Sequence, residues 1–147
     1  MIVLHFNERS GIRWPDILRA APRLLVFKYS PQCPRSRAAE VDIRAFADTH
    51  PQIAVLPVDV IRQHELSTLI TQHLAVPHAS PQLILLEKGA PIWTASHGRV
   101  TTAALEEVLM ATTAPGQNRT RVPGQWGPDP SRESVVRSSR WRHGLSR

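Results

Sequence analysis

The apolar run Leu24-Leu25-Val26-Phe27 leads through Ser30-Pro31-Gln32-Cys33-Pro34-Arg35-Ser36 into a helix-forming run, Arg37 to Phe46. A strand that is apolar at successive positions has no solvent face and must be covered on both sides. That requirement favours a sheet sandwiched between helices. The junction also places Cys33, the single cysteine of 147 residues, where a strand ends and a helix begins. The first N–H groups of a helix lack intrahelical partners, and the helix dipole is positive there. A thiol in that place ionises more easily, and the thiolate is its reactive form.

The rest of the chain supplies the covering layers. Trp14 to Ala21 reads as a short helix with Pro15 in its first turn. Leu24 to Tyr29 reads as a buried strand, and Pro34 to about His50 as a helix with Ala39, Ile43, Phe46 and Ala47 on one face. Ile53 to Val60 is a second apolar strand, in which Pro57 argues for an edge or a bulge. Leu66, Leu69, Ile70, His73 and Leu74 then recur at helical spacing, so His73 reads as a core histidine. Gln82 to Glu87, a turn at Lys88-Gly89-Ala90, and Pro91 to Ala95 form a hairpin. A last helix starts near Thr101, its N-cap, and turns Leu105, Val108 and Leu109 inward. The order α, β, α, β, α, β, β, α predicts a central sheet with helices on both faces, an α/β fold. Met1 to Phe6 adds an edge strand to this expectation.

Composition separates a body from a tail. Residues 111–147 hold seven arginines against Asp129 and Glu133, so most of the net charge of +6 sits there. Pro, Gly and Ser crowd the same stretch, which buries too little apolar surface to offset the entropy of ordering it. The expected organisation is one domain over 1–112 and a disordered tail over 113–147, with a transient helix at Ser131 to Trp141. A lone cysteine excludes an internal disulfide framework and suits a reducing compartment. The N-terminus lacks the pattern of a signal peptide, and no apolar run reaches membrane-spanning length. A cytoplasmic protein with no membrane partner is expected.

Three segments carry a family resemblance. They are Phe27-Lys28-Tyr29-Ser30 leading into Cys33-Pro34-Arg35-Ser36, then Val76-Pro77-His78-Ala79-Ser80-Pro81-Gln82, and finally Ser96-His97. Together they resemble the monothiol bacilliredoxins (the YtxJ-like family), which have a thioredoxin-like fold and carry T-C-P-I-S, H-x-S-P-Q and a later Ser-His. The resemblance spans roughly residues 14–110 and leaves out the tail. Gln32 and Arg35 depart from the usual family residues and leave the fold alone.

The resemblance implies an activity and a site. Bacilliredoxins are thiol–disulfide oxidoreductases of oxidative stress and redox homeostasis. They remove the low-molecular-weight thiol bacillithiol from proteins capped by it. Cys33 is then the catalytic residue, with bacillithiol a co-substrate, S-thiolated client proteins the partners, and no bound cofactor. Pro34, Arg35 and Ser36 support the thiolate, Ser36 by a hydroxyl hydrogen bond. Ser80, Pro81, His78 and Gln82 form the substrate-binding loop. Pro81 is expected to be cis, with the Ser80 backbone open to pair with a substrate as an added strand.

Other readings of the residues stay open. A lone cysteine is often an inert core residue, and the domain is then an adaptor that docks partners without turnover. Arg35 and Arg37 read as solvated charges that also attract a carboxylated thiol. Trp126 and Trp141 among the tail arginines suit weak, salt-sensitive stacking on nucleic acid. A single cysteine with scattered histidines argues against a metal site, although a monothiol glutaredoxin holding an iron–sulfur cluster is a further alternative.

Overall fold

A computed structural model describes residues 2–3 and 13–113. The tail beyond Thr113, including the expected helix at Ser131 to Trp141, lies outside the described residues. The elements are β1 (Ile2–Val3), α1 (Trp14–Ala20), β2 (Arg23–Tyr29), α2 (Pro34–Thr49), β3 (Ala54–Asp59), α3 (His64–Leu74), β4 (Gln82–Glu87), β5 (Ala90–Ser96) and α4 (Thr102–Thr113). A short 3-10 turn, His97–Arg99, joins β5 to α4. This is the order expected from the sequence.

The five strands run β1-β3-β2-β4-β5 across one mixed sheet. β2 pairs parallel with β3 and antiparallel with β4, which makes it the centre. Its alternation therefore feeds both faces. Leu25 and Phe27 point to the side covered by α2 and α4, where they meet Ile43, Phe46, Leu105 and Val108. Leu24 and Val26 point to the side covered by α1 and α3, where they meet Trp14, Ile17, Leu66 and Ile70. This is why the run in β2 is apolar at successive positions.

Local chemistry sets the remaining boundaries. The Thr101 hydroxyl accepts the Ala104 N–H at 3.2 Å, an N-cap on α4. Lys88 and Gly89 have φ of 51° and 82°, the positive pair that a two-residue hairpin turn requires. β1 pairs only with Ala54 and Val55 of β3. Among the described residues, Pro57 therefore has a strand neighbour on one side alone, opposite Phe27. It sits at a local edge, where its missing N–H costs no ladder bond.

The apolar stripe of α3 needs correction. Leu66, Ile70 and Leu74 are buried, but Leu69 is 44% exposed and His73 is exposed. His73 packs T-shaped against the Trp14 ring, at 6.2 Å between centroids. The helix is rotated so that Ser67, not Leu69, turns inward. A reason lies in β2. The Lys28 ammonium reaches α3 and donates to the Ser67 carbonyl at 3.1 Å and to the Thr71 hydroxyl at 2.9 Å. A buried lysine has to be met by polar groups, and that rotation brings them to it.

Candidate active site

Cys33 follows a tight turn. Its N–H donates to the Ser30 carbonyl at 3.0 Å, which closes Ser30-Pro31-Gln32-Cys33 with Pro31 in the position that turns favour for proline. The Cys33 backbone is extended (φ −93°, ψ 121°), and its carbonyl accepts the Arg37 N–H at 3.2 Å. Cys33 is thus the N-cap of α2, and Pro34 opens the helix at a place where no N–H is needed. The thiol is partly exposed.

Its surroundings favour the anion. The Ser36 backbone N–H is the largest cause of a pKa below the ordinary thiol value. Partial burial opposes this, while the Arg35 N–H, the Ser36 hydroxyl and the Arg35 charge add to the lowering. Ser36 itself is fully buried. Its oxygen accepts the Ser30 N–H at 3.1 Å. A hydroxyl that accepts still has its own proton to donate, so the side chain that closes the loop keeps a donor one turn from Cys33.

The second segment converges on the same end of the sheet. Lys28 lies opposite Gln82 in the antiparallel register, so β4 begins beside the place where β2 ends. The Ser80–Pro81 bond, which opens β4, is cis. The Pro81 carbonyl accepts the His97 N–H at 2.9 Å, which ties in the third segment. The Ser80 hydroxyl is buried without a hydrogen-bond partner.

The four candidate substrate-loop residues do different things. Pro81 is buried. Gln82 is 3% exposed and its amide donates to the Pro77 carbonyl at 2.8 Å, which braces the loop. His78 and Gln82 line a cavity of about 290 Å³ together with Thr94, Ser96, His97 and Arg99. Gln82, Thr94 and Ser96 alternate with Leu83 and Ala95 in the β4–β5 pairing, so they belong to the α3 side of the sheet. Cys33 caps α2, and Pro34, Arg35 and Ser36 open it, on the other side. The site residues named from sequence therefore form two groups, joined at the Ser80–Pro81 bend.

Sequence reasoning passed over two members of this region. Lys28 is 0% exposed, and burial pushes its pKa down to about 8. The signal was present. Leu24, Val26 and Lys28 alternate along a strand buried on both faces, so Lys28 had to point inward. Burial and then the charges of Lys28 and His64 hold His78 below the usual histidine value. Arg99 had no signal, because only the fold brings it into one cavity lining with His78.

The chain matches the family model for the monothiol bacilliredoxin BrxC over residues 12–105. Solved structures share the fold at low identity. A protein with a thioredoxin fold is 20% identical with a TM-score of 0.64, covering 74% of this chain and 94% of its own. Thioredoxin f from spinach chloroplast is 15% identical, TM-score 0.60, covering 77% and 88%. A thioredoxin variant from Halobacterium salinarum is 16% identical, TM-score 0.60, covering 79% and 95%. Identities at this level speak for the fold alone. The family match is narrower, and it spans the thiol at the head of α2, the loop before β4 and the Ser-His before α4. With its thioredoxin fold, its thiol-redox character and that match over most of its length, the chain belongs to the monothiol bacilliredoxin family.

Proposed function

We propose that this protein is a monothiol oxidoreductase that removes a small-thiol cap, bacillithiol by family, from S-thiolated client proteins. The observation that carries the reading is Cys33 at the N-cap of α2 with its pKa lowered by the Ser36 N–H. The Cys33 thiolate attacks the cap sulfur of a mixed disulfide. A bond forms between Cys33 and the small thiol, and the client leaves as a thiolate. With no second cysteine in the chain, a further small thiol or another redoxin attacks the adduct and restores Cys33. The reaction needs no metal or resident cofactor.

The client backbone pairs with Ser80 at the head of β4, as an added strand. Pro34, Arg35 and Ser36 serve the thiolate, and His78 and Gln82 belong to the substrate loop. The setting is the cytoplasm, where a lone thiol stays reduced. Among the described residues, no helix is long and apolar enough to cross a membrane.

Intact mass after exposure to oxidised bacillithiol, and separately to oxidised glutathione, tests this reading. The wild-type protein should gain one small-thiol mass and should uncap a thiolated client. Cys33→Ser should do neither. Uncapping by Cys33→Ser overturns the assignment, and a wild-type thiol that takes up neither compound turns the reading to a docking module without turnover.

A further inference from the structure

The cavity between the loop at 76–79 and the segment at 94–99 holds one permanent charge in its lining, the Arg99 guanidinium. His78, His97 and Arg99 line it, and no acidic side chain does. Lys28 adds to this from the sheet. It is fully buried and lies opposite Gln82, one of the lining residues. Its hydrogen bonds go to the Ser67 carbonyl and the Thr71 hydroxyl, and among the described residues no carboxylate pairs with it.

The wall also holds unused polar capacity. The Gln82 amide nitrogen is spent on Pro77, but its Oε1 is buried with no partner. The Ser80 hydroxyl at the adjoining bend is in the same condition. Buried polar atoms without partners are uncommon and call for an explanation. A cavity lined by Arg99 and by no acidic side chain suits a ligand that carries a carboxylate. Arginine in particular matches a carboxylate with two parallel bonds.

We propose that this cavity receives the carboxylate-bearing end of the small thiol whose sulfur is taken by Cys33. The inference rests on the thiol-exchange reading of Cys33. Cys33 follows the end of β2 and the cavity lies at the start of β4, and the register sets those two termini side by side. The Ser80–Pro81 bend stands between them. A thiol bonded through sulfur at α2 and through its carboxylate at Arg99 crosses that bend, and caps without a carboxylate lose the second anchor.

The test measures the first half-reaction, in which the Cys33 thiolate attacks one sulfur of a symmetric disulfide. One Cys33–sulfur bond forms, the S–S bond breaks, and one small thiolate leaves. Full-length protein is capped with oxidised glutathione, which carries carboxylates, and with bis(2-hydroxyethyl) disulfide, which does not. Rates are read by intact mass. The wild type should favour the carboxylated disulfide over the neutral one. In Arg99→Gln combined with His97→Gln, the ratio of the two rates should fall about tenfold, the scale of one charge-assisted contact. Both positions are exposed, so the variant keeps the core intact. Binding gives a second readout. S-methylglutathione, which cannot exchange, should shift the amide resonances of His97, Gly98 and Arg99 in the wild type and not in the variant.

An unchanged ratio, or shifts confined to other surfaces, overturns the cavity assignment while leaving the thiol chemistry standing. A wild-type protein that is capped by neither disulfide overturns the thiol reading and the cavity assignment with it.

Discussion

The Ser36 oxygen accepts the Ser30 N–H at 3.1 Å, so the first residue of the turn is tied to the first turn of α2 across Cys33. This bond holds the thiol over the free N–H groups of the helix. It also uses the Ser36 hydroxyl as an acceptor, so that its proton stays free to donate.

Ser36→Ala should therefore raise the Cys33 pKa, since it removes the hydroxyl and loosens the loop that presents the helix N–H groups. The stability cost should be about 1 kcal/mol, that of a part-buried amide losing its acceptor. Thiolate absorbance against pH reads the first effect, with Cys33→Ser as blank. The wild-type midpoint should lie below the ~8.5 of a free thiol. A Ser36→Ala midpoint equal to that of the wild type would remove Ser36 from the account.

Ser36→Cys should convert the monothiol into a dithiol. Position 36 stands one helical turn from Cys33, the spacing that C-x-x-C redox motifs use. The capped variant should release its small thiol unaided and close an internal disulfide, seen as the loss of the cap mass and two protons. A stable adduct on the variant would show that the two side chains cannot meet.

Lys28 ties stability to alkaline pH. Its pKa falls from 10.5 unfolded to about 8 folded through burial. Between those values the unfolded chain binds more protons, so stability rises with pH across the window. Below pH ~8 the penalty is complete, roughly 3 kcal/mol for a shift of this size. Lys28→Met fills the same volume without the charge, and Thr71 still donates to the Ser67 carbonyl at 3.0 Å. The variant should be more stable than the wild type by about 1–3 kcal/mol at pH 7. The gap should narrow toward pH 10, measured by chemical denaturation at each pH. A constant gap would mean that Lys28 does not titrate in this range.

Thr101→Ala removes the N-cap of α4 and should cost about 1 kcal/mol. Reactivity of Cys33 toward a small disulfide should stay unchanged, because α4 packs through Leu105, Val108 and Leu109 and leaves Cys33 untouched. Thermal melts and the capping rate measure the two effects separately.

The layered fold was legible in the chain because its signals are local or periodic. The apolar run in β2, the Lys88-Gly89 turn, the Thr101 cap and the inward sets of α2 and α4 each follow from a few neighbouring residues. So does the position of Cys33 at the head of α2. Other features depend on what packs opposite. The spacing of Leu66, Leu69, Ile70 and His73 allowed a stripe, but the packed structure buries Leu66, Ile70 and Leu74 and turns Ser67 and Thr71 to the Lys28 ammonium. The Ser36 contact was available from spacing in the helix, whereas its bond to Ser30 needed the turn to close.

By itself, the sequence determined the layers, the thiol and its family, because hydrophobic period, turn chemistry and motif are written along the chain. Only the tertiary structure decided that His78, Gln82, His97 and Arg99 line one cavity. They meet because the antiparallel pairing of β4 with β2 and β5 folds segments distant in sequence onto one end of the sheet. Long-range pairing of that kind leaves no mark in the spacing of the residues it unites.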